Sequence, residues 1–361
     1  MSKRIAVVTT GGTIGSVTAG RMTVADARRS RLPAEFDYIR STKNLAVDIR
    51  PALEKLSEDM APTDWLEIIT TIDGLIAEGY ESIIVTHGTD TMAYTAAAVA
   101  LYFNNNDKNV RICLTGSFYP LSHQESDARI NLEAALEVVG CEKLPAGVYM
   151  AFRLNRKEVW VYHGLEISPI SHNSLTFGAM SSKPAAVYTN GRIEDIQPRF
   201  FDFAADCRFP SKDRLEVVGQ YIYQIPSYPG LDLSIFAPSQ LEKRLIIIDA
   251  YHSGTASSET LPGTIIDFKK SNQQVRVSLS CVPTQYVVEP YKSTFKIMNA
   301  GIDVYTDIPP LPLYVLAACR FAADVPFESL LDPVSRWLLK ERLDHSDGLR
   351  RSMTRSAIAT G

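Results

Sequence analysis

The sequence predicts an α/β protein of two domains, and three observations carry that reading. Short apolar runs alternate with stretches of helical periodicity, the pattern that βαβ units over a covered parallel sheet leave in a sequence. Glycine-containing turns follow directly on two of those runs, at Gly11 and Gly88. The chain has 361 residues, 45% hydrophobic and 22% charged, which is an ordinary globular balance. At ~100–200 residues per domain, two domains are the first expectation.

Along the chain, residues 5–9, 82–86, 110–115 and 147–152 read as strands. Between them lie helices at 63–78, opened by Pro62 and closed by Gly79, at 92–103, rich in alanine, and at 125–139, closed by Gly140. Residues 156–161 alternate like the arm of a hairpin, and 168–184, rich in Ser, Pro and Gly, read as loop. Pro210, Pro226, Pro229 and Pro238 mark a linker. A second alternation follows, with strands at 245–249 and 275–281 and helices at 311–322 and 326–342. The expected organisation is a larger N-terminal α/β domain over 1–208, its mostly parallel sheet flanked by helices, then a linker over 209–240 and a smaller C-terminal α/β domain over 241–361.

Several function classes are disfavoured. A net charge of −4 gives no general attraction for nucleic acid or an anionic membrane surface. No stretch approaches the ~20 apolar residues of a membrane span, and the apolar run after Arg4 is too short for a signal peptide. A cytoplasmic chain is therefore expected. Five widely spaced cysteines without a C-x-x-C pair read as reduced thiols. The histidines lack metal-ligand spacing, and neither a dinucleotide fingerprint nor a phosphate loop is present, so no metal and no cofactor are expected.

The two glycine turns carry the chemistry. Thr9–Thr10–Gly11–Gly12–Thr13–Ile14–Gly15 and Thr86–His87–Gly88–Thr89–Asp90–Thr91 both stand at C-terminal ends of expected strands, where open α/β sheets bind ligands. Glycines at 11 and 12 let the backbone approach a ligand closely and set amide groups beside Thr13, an arrangement suited to an oxyanion.

Thr10–Gly11–Gly12–Thr13–Ile14 resembles the first signature of the L-asparaginase/glutaminase family, and Thr86–His87–Gly88–Thr89–Asp90–Thr91–Met92–Ala93–Tyr94 resembles the second. Further similarity runs through Ser57–Glu58–Asp59–Met60, Thr115–Gly116–Ser117 with Pro120–Leu121, Ser126–Asp127, Ile130–Asn131–Leu132 and Val282–Pro283–Thr284, and it looks closest to the cytoplasmic type. The resemblance implies that Thr13 is the nucleophile attacking a side-chain amide, with Thr89 and Asp90 completing the catalytic group. It places Gly12, Ser57, Glu58, Gly88 and Ser117 around the substrate. It also implies a pocket-closing loop at Tyr251–His252–Ser253–Gly254–Thr255, with Thr255 as a contact, and an acid, Glu289, near the position a neighbouring protomer supplies. A homodimer or homotetramer acting on a small amino acid or amide follows from the same likeness.

Three departures fall around that pocket. Aligning His163–Gly164–Leu165–Glu166–Ile167–Ser168 puts Pro169 where the family carries a lysine. Arg21 or Met22 stands where the mobile loop carries a tyrosine, and Glu58 stands where glutamine is common. Proline supplies neither charge nor donor, and arginine cannot act as a base at neutral pH. Three readings stay open: an asparaginase-like amidohydrolase, a relative with altered amide, ester or acyl-transfer chemistry on a larger substrate, and an amino-acid-binding protein without catalysis.

Overall fold

The computed structural model describes residues 4–19, 22–25, 32–43, 45–103, 109–168, 176–179, 183–197, 210–236, 243–270, 274–282, 291–306 and 308–332. The first unit opens with strand β1 (Arg4–Gly11), two short paired strands β2 (Ser16–Ala19) and β3 (Met22–Ala25), and helix α1 (Leu32–Lys43). Next come β4 (Ala46–Lys55), α2 (Pro62–Ala77), β5 (Ser82–Thr86), α3 (Met92–Phe103), β6 (Arg111–Thr115) and α4 (Ala128–Gly140). The unit closes with β7 (Gly147–Arg153), β8 (Glu158–His163), β9 (Ile167–Ser168), β10 (Gly178–Ala179), β11 (Ala186–Thr189) and β12 (Arg192–Glu194).

Eight of these strands form one sheet in the order β12-β11-β8-β7-β6-β5-β1-β4. From β4 to β7 neighbouring strands run parallel, and β8, β11 and β12 extend the sheet antiparallel. β5 and β6 are buried along their whole length, as continuous apolar strands covered on both faces must be. On one face Phe36 and Ile39 of α1 and Leu132 and Ala135 of α4 pack with Ile5, Val7 and Ile84. On the other, α2 and α3 pack on Ala6, Val8, Ile83 and Val85.

The second unit contains α5 (Lys212–Val217), β13 (Ile222–Pro226), β14 (Lys243–Asp249), α6 (Leu261–Lys270), β15 (Gln274–Val282), α7 (Lys292–Asn299), β16 (Asp303–Thr306) and α8 (Pro310–Ala322). Its four strands lie parallel in the order β13-β14-β15-β16. Leu261 of α6 and Ile297 of α7 cover one face, and α8 covers the other. α8 also packs on α3, so one apolar core runs through both units. Within it the rings of Tyr94 and Tyr314 meet edge to face at 6.1 Å, and the Tyr94 hydroxyl donates to Gln224 Oε1 at 3.3 Å. The alanines of α3 permit this close sandwich.

The structure revises three expectations. Residues 209–240, read as a linker from their prolines, supply α5 and the edge strand β13. Pro226 ends that strand at the sheet edge, where its missing N–H costs no ladder bond. Within 168–184, read as loop, Gly178–Ala179 pairs with Ile167–Ser168. α4 begins at Ala128, later than expected, because Asp127 accepts the amides of Phe118 (3.0 Å) and Tyr119 (3.3 Å) and so holds the chain in the preceding loop. Of the helix expected over 326–342, Phe327–Ser329 form a short turn and Asp332 is helical, and residues beyond 332 lie outside the described set. Among the described residues no helix is long and apolar enough to cross a membrane.

Candidate functional site

From β1 the chain passes to β4 on one side and then crosses to β5 on the other, so the connections diverge between β1 and β5. Such a divergence opens a crevice at the carboxyl ends of the strands. Thr9 and Thr86 are paired across it, and both glycine turns begin there. The Thr10 hydroxyl donates to the Thr86 carbonyl at 2.9 Å, tying the first turn to the second.

The first turn is set by main chain. Gly12 has φ 75°, its N–H donates to Lys55 O at 3.1 Å, and its carbonyl accepts Gly15 N–H at 3.2 Å. Thr13 opens a one-turn helix, Thr13–Gly15, in which Ile14 is buried against the α1 and α4 face and Thr13 remains half-buried. A Cβ on Gly12 would stand 2.6 Å from Gly88 Cα, and one on Gly88 would stand 2.6 Å from Ser57 Cβ. The two turn backbones and the Ser57 side chain thus pack closely together, which glycine permits because it carries no Cβ.

Ser57 joins them. Its hydroxyl donates to Asp90 Oδ2 at 2.9 Å and accepts Asp90 N–H at 3.2 Å, while its carbonyl accepts the Thr91 hydroxyl at 2.8 Å. Ser57 is buried, Thr89 half-buried and Asp90 exposed, so an exposed residue is anchored through its carboxylate to a buried hydroxyl. The structure therefore gathers Gly12, Thr13, Ser57, Gly88, Thr89 and Asp90 at one crevice. Glu58 stands beside Ser57 with its side chain exposed.

Two further expected residues make local bonds. Ser117 is fully buried after β6, and its hydroxyl donates to Tyr119 O at 2.7 Å. Thr255 lies beyond β14 in the second unit, where its carbonyl accepts Tyr251 N–H at 2.8 Å and its hydroxyl meets that of Ser253 at 3.1 Å, bonds that stay within its own turn. Arg21, Pro169 and Glu289 lie outside the described residues.

Sequence reasoning passed over the layer beneath the crevice. His87 is fully buried, its Nδ1 is 2.8 Å from Gly88 O and its Nε2 is 2.9 Å from Thr95 Oγ1. Burial drives its pKa down to about 4, against smaller upward pulls from the Gly88 carbonyl and from Asp64, so the ring is neutral near pH 7. Asp64 binds Lys55 Nζ through both oxygens at 2.9 and 2.8 Å and accepts Ala61 N–H at 2.7 Å, capping α2. Asn131 and Asp127, both buried, hold the loop after β6, Asn131 by donating to Gly116 O at 2.9 Å. The histidine within the second motif was the available signal for this layer.

Fold and site together define an α/β protein in which two glycine turns, Ser57 and Asp90 come together at the switch point in the parallel part of a mixed sheet. The chain belongs to the asparaginase family: residues 4–199 match the family model described as Asparaginase, N-terminal. It is 25% identical over 322 residues to one of the subunits of the glutamyl-tRNA(Gln) amidotransferase of Methanothermobacter thermautotrophicus, covering 86% of this chain and 70% of the relative. To the same amidotransferase component from Nanoarchaeum equitans it is 30% identical over 260 residues, 70% of this chain and 63% of that one. In fold it matches the thermostable L-asparaginase from Thermococcus kodakarensis with a TM-score of 0.69 and 21% identity, over 92% of this chain and 96% of the other. A probable cytoplasmic L-asparaginase from Campylobacter jejuni matches with a TM-score of 0.68 and 18% identity, over 92% and 99% of the two chains.

Proposed function

We propose that the chain cleaves the side-chain carboxamide of asparagine or a related amino-acid derivative, using Thr13 as nucleophile. The observation that carries this reading is the joining of the Thr13 turn, the Gly88–Thr89–Asp90 turn and Ser57 at one switch point. In this scheme the Thr13 hydroxyl adds to the amide carbonyl and amide N–H groups of the turns support the oxyanion. Collapse then releases ammonia and leaves an acyl ester that water hydrolyses back to Thr13 and the free acid. Asp90, held by Ser57, receives the substrate amine, and Thr89 with Asp90 assists proton movement. Lys55 is committed to Asp64, so with Pro169 in place of the family lysine the proton traffic rests on these hydroxyl and carboxylate groups.

The test is ammonia release from L-asparagine and L-glutamine by the purified chain, beside Thr13→Ala and Pro169→Lys. Turnover that falls by at least about three orders of magnitude in Thr13→Ala is expected. Turnover that survives Thr13→Ala sinks the assignment of the nucleophile. A silent parent that gains activity with Pro169→Lys turns the reading towards altered chemistry or binding alone.

A second reading draws on the names of the amidotransferase relatives. In it the chain frees ammonia as one component of a larger assembly rather than as the homodimer or homotetramer proposed from the family resemblance. Light scattering on the protein purified from its own cells separates the two, since a homo-oligomer has a mass that is a whole multiple of this chain.

A further inference from the structure

The buried histidine beneath the crevice is used by no step of the scheme above, yet it is tied to several parts of the site at once. Its main-chain N–H donates to Thr115 O at 2.8 Å at the end of β6. Its ring lies 2.8 Å from Gly88 O and 2.9 Å from the Thr95 hydroxyl of α3. A carbonyl oxygen only accepts, so Nδ1 carries the proton and donates to Gly88 O, leaving Nε2 to accept from Thr95. One imidazole thereby sets the direction of the Gly88 carbonyl from a position that water does not reach.

The consequence passes through one planar group. In a trans peptide the C=O and the next N–H point in opposite directions. With Gly88 O held towards the buried ring, the N–H of Thr89 points away from that ring. No described residue accepts a hydrogen bond from that amide. An amide aimed at a ligand, fixed by a partner that cannot exchange with water, is the preorganised donor that anionic or carbonyl oxygens select.

We propose that His87 is a positioning residue: bonded to Gly88 O and Thr95 Oγ1, it locks the Gly88–Thr89 peptide so that the Thr89 amide serves the crevice. The proposal rests on the amide-cleaving reading for its kinetic consequence, and on geometry alone for the orientation of the amide. Side-chain substitution separates the two ring contacts. Asparagine presents an N–H near the Nδ1 position and keeps the bond to Gly88 O, whereas glutamine and leucine do not.

The experiment compares parent, His87→Asn, His87→Gln and His87→Leu by kcat and KM for the better amide substrate, and by hydrogen exchange of the Thr89 amide in the free protein. Expected are a kcat loss of about 100-fold in His87→Gln and His87→Leu, the scale of one misplaced donor, recovery to within about tenfold in His87→Asn, and altered Thr89 exchange in the first two alone. Equal activities and unchanged Thr89 exchange across the three variants overturn it. Should the His87 variants fail to fold, Thr95→Val beside Thr95→Ser reads the same lock. Loss of the Nε2 partner is then expected to cost about tenfold in kcat and to change Thr89 exchange, with Ser restoring both, and equal behaviour of the pair overturns the proposal. A parent silent towards amides, with Thr89 exchange still changed in His87→Gln but not His87→Asn, defeats the amide-cleaving reading and leaves the role of His87 standing.

Discussion

The parallel part of the first sheet and the parallel second sheet both end in polar turns at their carboxyl edges, and they differ in strand order. In the second sheet β13, β14, β15 and β16 follow one another in sequence, each crossover stepping the same way. Its turns, such as Tyr228–Leu231 and Tyr251–Thr255, close on their own residues. In the first sheet the order reverses at β1, so the turns after β1 and β5 have no crossover between them and meet face to face. Similar residues at similar strand ends thus become a joint site in one sheet and separate turns in the other. Composition does not distinguish them, whereas topology does.

A methyl group placed in each region should act very differently. Gly12→Ala sets a Cβ against Gly88 at φ 75°, and ligand binding and ammonia release are expected to fall by more than about 1,000-fold. Gly230→Ala, beyond β13, has open space and only its φ of 86° to contend with; a thermal melt should show a loss of about 1–2 kcal/mol with turnover unchanged. Equal effects of the two substitutions on turnover would refute the contrast.

Acid titration probes the buried side of the same contrast. The pKa of His87 is held down to about 4 by burial, against 6.5 in the unfolded chain, so the unfolded state takes up the proton first. Its neutral form gives full stability above pH 6.5. Stability is then lost as pH falls from 6.5 towards 4, by roughly 3 kcal/mol in total. Denaturant midpoints across that range should decline in the parent and flatten in His87→Asn.

Tyr314→Ala tests whether the two sheets unfold as one body. Removing the ring that meets Tyr94 should cost about 2–3 kcal/mol. A shared core predicts one calorimetric transition moved to lower temperature, and a split into two would show the units to be independent. The smallest effect is expected of Ser57→Ala. Loss of its bonds to Asp90 should weaken L-aspartate binding by about tenfold, read by calorimetry, with little change in the melt.

Much of this was legible from the residues. The strands at 5–9, 82–86, 110–115 and 147–152 and the helix at 92–103 follow from periodicity, because each is covered on both sides by parts of the same chain. The close approach of the Gly12 and Gly88 turns followed from two strand-end motifs. β4 escaped notice because its burial is uneven, with Pro51 and Glu54 exposed along an edge strand. β13 was hidden by Pro226, whose tolerance depends on being at the sheet's rim, a fact of topology that a linear pattern does not hold. His87 was visible as a letter within a motif, but its buried partners Gly88 and Thr95 come from a fold that has to be built first.

The floor of the crevice, where Gly12 lies on Gly88 and Gly88 on Ser57, has a consequence for how such a site diversifies. A floor of two glycines pressed on one serine side chain leaves little to vary: a carbon added at either glycine is a collision. Innovation is pushed outward to exposed positions such as Glu58, which change without disturbing the stack below. A lineage built on this floor can be conservative in architecture and inventive in substrate.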